Sequence, residues 1–546
     1  MSSVSGLYSP LPQSISDSDS ERDLHMDSLY PSNNQGCVES DIKHKLYRLN
    51  PNKNDMQSLP KAKMIKPKMS SGRKMAFVLS LIMCFLPMVI FLWILPCDIE
   101  TCPVKISNWE VEQQGVEMKG TINLFFDRFK KHFNLAILYR GDLNSEEVLK
   151  NGVISFLGNN GGVNWYFRQS VVPQQLDCSL LDFDLDGILD CLLLDEKGLK
   201  AVEVLSGQTV WHAHSHEEKT IIENLQFPID LPDVNHDQVI ELLSIYQKKN
   251  LMIICGRSGK ALSNIMIKQC NEVEKLKRNN EYLLFQCSNA THVIHYTANI
   301  SDIIEYYRKN IPVVNFEQVE LPSAEINSYS LDGYKLNIWN DGKCPVCHCV
   351  IQLFNNQNKL IYSKSYNKSY IVKPSKFKFT SNKYNLHFLK GHTEGFIIKI
   401  WNWYERFNPK RNRDYQFNFR KDYLNDTYFG NYIIERVMLV TFNTTNYSII
   451  EASETNITQL CSQNKSPSAN CQPDVGNQED SLLISDLDRD GSQELISFSS
   501  SFYMRDNSRL DEDPWQLIST VKMIKLESEL PKLYDARQSF GILPSY

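Results

Sequence analysis

DFDLDGILD, residues 182–190, sets Asp182, Asp184, Asp186 and Asp190 around Gly187 between two apolar runs, SLL before it and CLLL after it. Carboxylates at loop positions one, three, five and nine, with the Ile188 carbonyl at position seven, converge on one hard cation, and Gly187 permits the sharp turn. The implied ion is Ca2+, held structurally. An EF-hand would add Glu at position twelve and a helix on each side. Here position twelve is Leu193 and both flanks read as strands, so the loop joins two strands.

The pattern returns twice. DLDRDGSQE places Asp486, Asp488, Asp490, Ser492 and Glu494 around Gly491, between LLIS and LISF. DVNHDQVIE offers Asp233, Asn235, Asp237 and Glu241, but Gln238 stands where the turn glycine belongs. A non-glycine residue at positive φ costs ~1 kcal/mol, so weaker calcium binding, or none, is expected there. Asp182 and Asp233 lie 51 residues apart, and Asp233 and Asp486 lie 253 apart, close to five such intervals. A repeat of about fifty residues fits a four-stranded propeller blade.

A second recurring element is strand, turn, strand: AVEVLSGQTVW, LMIICGRSGKAL and VIQLFNNQNKLIY, with turn residues Gly207, Gly259 and Asn358. These are 52 and 99 residues apart, one period and nearly two. Blades at 182 and 233, four unmarked blades and a last at 486 give seven. Six and eight remain as alternatives, because the stretch 364–447 is poorly marked. The 25 Tyr and 26 Phe, spread among short apolar runs, agree with an all-β ectodomain.

At 546 residues, 42% hydrophobic and 22% charged, the chain has a globular composition, and a net charge of -6 argues against a nucleic-acid partner. AFVLSLIMCFLPMVIFLWIL, Ala76 to Leu95, carries no charge and at ~1.5 Å per residue matches a ~30 Å hydrocarbon core. Residues 75–95 are therefore expected to be a transmembrane signal anchor. Lys61, Lys63, Lys66, Lys68, Arg73 and Lys74 precede it and Asp98 and Glu100 follow it, which predicts a single-pass type II membrane protein with a cytosolic N-terminus. Residues 1–74 read as a disordered cytosolic tail, 96–130 as a membrane-proximal linker, and 131–546 as the lumenal or extracellular propeller.

Sequons begin at Asn289, Asn299, Asn367, Asn425, Asn443, Asn446, Asn456 and Asn464, and none lies in the tail, as a glycoprotein of this orientation requires. Of 14 Cys, Cys37 is in the tail and Cys84 in the span, leaving an even number for disulfides. Cys97 with Cys102, and Cys461 with Cys471, stand close enough to close small loops. The cluster CPVCHC (Cys344, Cys347, His348, Cys349) has the residue types of a zinc or redox site. Consecutive ligands on a strand point to opposite faces, so disulfides are the expected reading. HAHSH (His212, His214, His216) is read as a loop after a blade-closing Trp211.

D-x-D-x-D-G-x-x-D loops on blades of this length resemble the FG-GAP repeats of integrin alpha chains. The order of DFDLDGILDC, GLKAVEVLSGQTVWHA, GFIIKIWNW, IIERVMLVTFNTTNYSIIEAS and SLLISDLDRDGSQELISF behind a single span resembles the "family with sequence similarity 234" group of type II membrane proteins. That resemblance implies an FG-GAP-like propeller on a single anchor. The expected function is non-enzymatic: a calcium-stabilised propeller that presents loops to an unidentified protein as receptor, adhesion partner or accessory subunit. The alternative is a membrane-anchored quinoprotein-like or hydrolytic propeller enzyme, since GLKAVEVLSGQTVW also looks like a quinone-dependent dehydrogenase blade. Neither an adjacent Cys-Cys pair nor a G-x-S-x-G elbow supports it.

Overall fold

The computed structural model describes residues 70–89 and 106–530, apart from 129–130, 144, 290–291, 310–315, 320–326, 332, 381–391, 405–427, 443–446, 463–469 and 505–514. The chain divides into two units, Met1–Pro96 and Cys97–Tyr546. In the first, helix α1 (Ser71–Val89) contains the first part of the apolar run. Its side chains from Ser71 to Leu86 are exposed. Among the described residues no helix is long and apolar enough to cross a membrane. The rest of the expected span, 90–95, and the tail 1–69 lie outside the described residues.

The second unit is built of antiparallel sheets. Strand β1 (Trp109–Gln114) opens it and is used last. The first sheet is β2 (Val116–Asp127), β3 (His132–Gly141), β4 (Asn151–Phe156) and β5 (Val163–Gln169). The second is β6 (Gln175–Leu181), β7 (Asp190–Asp195), β8 (Gly198–Val202) and β9 (Thr209–His212). The third is β10 (Ile229–Leu231), β11 (Glu241–Tyr246), β12 (Asn250–Ile254) and β13 (Ala261–Met266). The fourth is β14 (Glu272–Asn279), β15 (Tyr282–Asn289), β16 (His292–Asn299) and β17 (Glu317–Val319), with helix α2 (Ile300–Lys309) between its last two strands. The fifth is β18 (Asn327–Leu331), β19 (Tyr334–Lys343), β20 (Val346–Phe354) and β21 (Leu360–Asn367).

The sixth sheet is larger: β22 (Ser369–Ile371), β23 (Ser375–Thr380), β24 (His392–Tyr404), β25 (Tyr428–Phe442), β26 (Tyr447–Ser462) and β27 (Asn470–Gln472). The seventh is β28 (Leu482–Ser485), β29 (Glu494–Met504) and β30 (Trp515–Lys525), completed by β1. β1 pairs along β30 from Trp109↔Met523 to Gln114↔Ile518, so the first strand of the unit is joined to the last. This pairing ties the N-terminal edge to the C-terminal one and removes two open strand edges at once.

The strands follow from alternation where one face is covered and from continuous apolar runs where both are. In β20, Cys347, Cys349, Ile351 and Leu353 are buried and the residues between them are not. In β7, DCLLLD, every residue is buried, because neighbouring sheets cover both of its faces. Apolar clusters lie between successive sheets: first and second around Leu138, Trp165 and Leu193, second and third around Leu192, Trp211 and Leu242, and seventh and first around Met118, Phe498 and Val521.

Three tryptophans repeat one contact. Trp109 Nε1 donates to the Gly158 carbonyl at 2.9 Å, Trp165 Nε1 to Val204 at 2.8 Å and Trp211 Nε1 to Gly256 at 3.0 Å. Each indole leaves the edge of one sheet and lands on the turn between the third and fourth strands of the next. Gly161, Gly207 and Gly259 occupy those turns at φ +72, +72 and +73, and a Cβ at Gly161 or Gly207 would stand 2.5 Å from the ring. Glycine is required there both for the left-handed backbone and for the close ring approach.

Two sequence expectations are corrected. Residues 109–127, assigned to the linker, form β1 and β2, because their alternating apolar residues Trp109, Met118 and Phe125 enter the core. The unmarked sheets are also distributed differently: one precedes the loop at 182 and three, not four, lie between 233 and 486. The sixth sheet accounts for the difference, since β24, β25 and β26 run to 13, 15 and 16 residues and absorb two repeat lengths in one sheet.

Candidate metal centre

Each acidic loop joins the first and second strands of its sheet: 182–190 between β6 and β7, 233–241 between β10 and β11, and 486–494 between β28 and β29. Up-and-down connectivity puts these three turns at one end of their sheets, the end that also carries the turns receiving the tryptophans. The backbone of each loop enters the left-handed region at positions four and six: Leu185 and Gly187 (φ 64 and 79), His236 and Gln238 (φ 66 and 74), Arg489 and Gly491 (φ 57 and 84). Gln238 thus adopts the glycine conformation, and the second loop keeps the shape of the other two.

Position one closes each turn. Asp182 accepts from Leu185 N (2.7 Å) and Gly187 N (2.9 Å), and Asp233 accepts from His236 N (2.6 Å) and Gln238 N (3.0 Å). Asp486 accepts from Asp490 N (3.2 Å) and Gly491 N (3.0 Å). These bonds engage both oxygens of each position-one carboxylate and fix it against its own loop. Asp182, Asp184 and Asp190 bring one oxygen each within 4.8 Å of the others, as do Asp233, Asp237 and Glu241, and Asp486, Asp488 and Glu494. All nine donors are hard oxygens, the set that suits Ca2+. Asp186 stands outside its cluster and accepts from Ile188 N at 2.6 Å, and Asn235 accepts from Asp237 N at 2.8 Å.

The ninth residue is the buried anchor. Asp190, Glu241 and Glu494 are at most 4% exposed. Burial pushes each carboxyl up to about 7, and the neighbouring acidic residues add to the rise. Crowded carboxylates in low dielectric repel one another, a repulsion that a bound cation relieves. Asp237 instead lies below the usual range: burial raises it, but hydrogen bonds from Val239, Cys255 and Asn235 prevail.

The loops are wired to the turns behind them. Asp190 Oδ1 accepts from Val204 N at 3.2 Å, and the Val204 carbonyl holds the Trp165 indole. In the third sheet Cys255 Sγ donates to Asp237 at 3.2 Å, next to Gly256, which holds Trp211. The first sheet has no acidic loop, and Asn134 fills the same role: its Oδ1 accepts from Gly158 N, whose carbonyl holds Trp109, and its Nδ2 donates to Asp127. Sequence reasoning missed Asn134 and the tryptophan contacts. The near-fifty spacing of Trp165 and Trp211 was the available signal.

The third loop already has an organic cation. Lys525 Nζ lies 3.3 Å from Asp488 and from Asp490 and 3.6 Å from Glu494. Burial works against the ammonium, but the Asp488 and Glu494 carboxylates raise it above the usual lysine value. Divalent cations must compete with this ammonium at 486–494. Lys525→Met is expected to tighten cation binding at that loop at least tenfold while leaving 182–190 unchanged, checked by calorimetric titration of the full-length variant with calcium. Equal affinity in wild type and variant would show that Lys525 does not compete.

His214 Nδ1 lies 3.0 Å from its neighbour's carbonyl, that of His212, and His216 closes no cluster with them among the described residues. Cys461 and Cys471 are joined, as are Cys178 with Cys191, Cys270 with Cys287, and Cys344 with Cys347. Cys97 and Cys102 lie outside the described residues. So do Asn425, Asn443, Asn446 and Asn464. Asn289 and Asn299 end strands, while Asn367 and Asn456 are exposed.

Sheets of this topology, closed by the pairing of first and last strands, define a β-propeller protein. Residues 151–309 match the family model described as the FAM234A/B beta-propeller, in agreement with the resemblance that the motifs carry. No protein of curated function matches the sequence. Among solved structures, similarity is found to BBS1N in complex with ARL6DN, soaked with mercury (10% identity, 76% of this chain and 95% of that one, TM-score 0.32). The Dos1 propeller (8%, 77% and 96%, TM-score 0.32) and BamB from Moraxella catarrhalis (10%, 75% and 83%, TM-score 0.24) are also similar. The fold rests on the chain's own sheets and on the family match over 151–309.

Proposed function

We propose that this chain is a single-pass type II membrane glycoprotein whose seven sheets are the blades of a calcium-stabilised propeller, acting as a non-enzymatic interaction module on the lumenal or extracellular side. The observation that carries the reading is the convergence of three oxygen donors in each of three equivalent loops at one end of their sheets. Asp182, Asp184 and Asp190, with Asp233, Asp237 and Glu241, would hold the ions. The third loop, with Lys525 among its carboxylates, would be the weakest. Bound calcium supplies fixed positive charge that neutralises crowded carboxylates. The chain's own residues then do the structural work, because Asp190 and Asp237 each connect to the turn that receives a tryptophan from the preceding blade.

The anchor reading is supported by α1, whose apolar Phe77, Leu79 and Met83 are 60%, 65% and 69% exposed and follow the basic Arg73 and Lys74. The partner is a protein engaged by the rim that the acidic loops organise.

The experiment is crosslinking on intact cells with a membrane-impermeant amine reagent, using the full-length protein. A discrete adduct is expected in millimolar calcium, lost with chelator and lost in Asp184→Ala with Asp237→Ala. An adduct indifferent to both treatments would reject a calcium-organised binding rim.

A further inference from the structure

The fifth sheet carries a feature that the calcium rim does not use. The β19–β20 hairpin ends in Lys343-Cys344-Pro345-Val346-Cys347, with the two cysteines joined at a sequence separation of 3. Cys347 faces inward and is 7% exposed, whereas Cys344 is partly exposed at the tip. By contrast Cys178 and Cys191 are 2% and 1% exposed, closed off from any reagent that does not unfold the sheet. An accessible disulfide is the one an incoming thiolate reaches, and two residues between cysteines is the spacing that lowers the thiolate pKa of exchanging pairs.

The hairpin register pairs Trp339 with Val350, Asp341 with His348 and Lys343 with Val346. Alternate residues share a face, so Trp339, Asp341, Lys343, Val346 and His348 line the side opposite Cys347. On it Trp339 is 65% and Val346 84% exposed. Large apolar side chains this open beside a reachable disulfide form a surface for an extended apolar peptide.

We propose that Cys344–Cys347 is a thiol–disulfide exchange site whose substrate is a polypeptide carrying two thiols in an apolar, extended segment. One substrate thiolate attacks Cys344 Sγ. The Cys344–Cys347 bond breaks, and Cys347 leaves as a thiolate and takes up a proton. The second substrate thiolate then attacks the substrate sulfur of the mixed disulfide and releases Cys344 as a thiol. Two substrate thiols become one disulfide, and the hairpin disulfide becomes two thiols. The third cysteine of the cluster does not interfere: Cys349 is fully buried, and burial pushes its thiol up to about 12, so it stays protonated and unreactive.

The test equilibrates the full-length protein in glutathione buffers of graded reduced-to-oxidised ratio, alkylates free thiols and reads each cysteine by mass spectrometry. Cys344 and Cys347 are expected to become alkylated at ratios about tenfold or more less reducing than those needed for Cys178 and Cys191. In Cys347→Ser, oxidised glutathione is expected to leave a persistent mixed disulfide on Cys344, with Cys178–Cys191 still intact as the sign that the sheets are folded. Reduction of both disulfides at the same ratio overturns the proposal. So does a folded Cys347→Ser protein whose Cys344 stays unmodified. Should that variant fail to fold, the wild-type titration decides alone.

Discussion

Millimolar calcium raises the unfolding midpoint of the full-length protein by several degrees, and Asp184→Ala combined with Asp237→Ala abolishes the rise: this is the largest expected effect. A site filled at a hundredfold excess over its Kd adds about 2.7 kcal/mol, and two sites add about twice that. The variant removes one cluster oxygen from each of the two loops that hold no lysine. The metal-free protein should also show a specific pH dependence. Asp190, Glu241 and Glu494 are raised to about 7, above their unfolded values. The stability they contribute is therefore fully present below about pH 4 and lost as pH rises through about 7. Chelated protein should unfold more readily at pH 7.5 than at pH 5, and calcium should reverse that order. A midpoint indifferent to calcium in the wild type would make all three loops metal-free turns.

Trp165→Ala should destabilise the protein by about 3–5 kcal/mol, the range for removing a buried aromatic ring that leaves a cavity. Trp165 is 8% exposed, packs on Gly207 and donates to the Val204 carbonyl, so its loss opens the seam between the first two sheets and frees the turn that Asp190 holds. Trp339→Ala is the control, since Trp339 is 65% exposed and its loss should cost less than about 0.5 kcal/mol. Denaturant unfolding of both variants checks this. Equal effects would mean that the indole contact does not bind one sheet to the next.

Much of this was legible because it is local. The spacing of Asp182, Asp184, Asp186, Gly187 and Asp190 encodes a turn that Asp182 closes by hydrogen bonds to Leu185 N and Gly187 N, within a few residues, and the turns at Gly207, Gly259 and Asn358 recur at the same place in their sheets. Counting failed where periodicity was interrupted. The sixth sheet keeps alternating patterns but lengthens its strands and inserts 405–427, so no fifty-residue marker survives in it. The start of the fold was placed too late because β1 gains its meaning only from β30, more than four hundred residues further on.

By itself, then, the sequence determined the all-β class, the acidic loops and the turn glycines, each carried by neighbours in the chain. Tertiary structure alone decided that Trp165 meets Val204, that Asn134 stands in for a loop carboxylate, that Lys525 sits among Asp488, Asp490 and Glu494, and that Cys344 rather than Cys347 faces outward. Those contacts join residues from separate strands or sheets, or depend on which face a strand turns to solvent. No spacing along one strand specifies such a choice until the sheets pack.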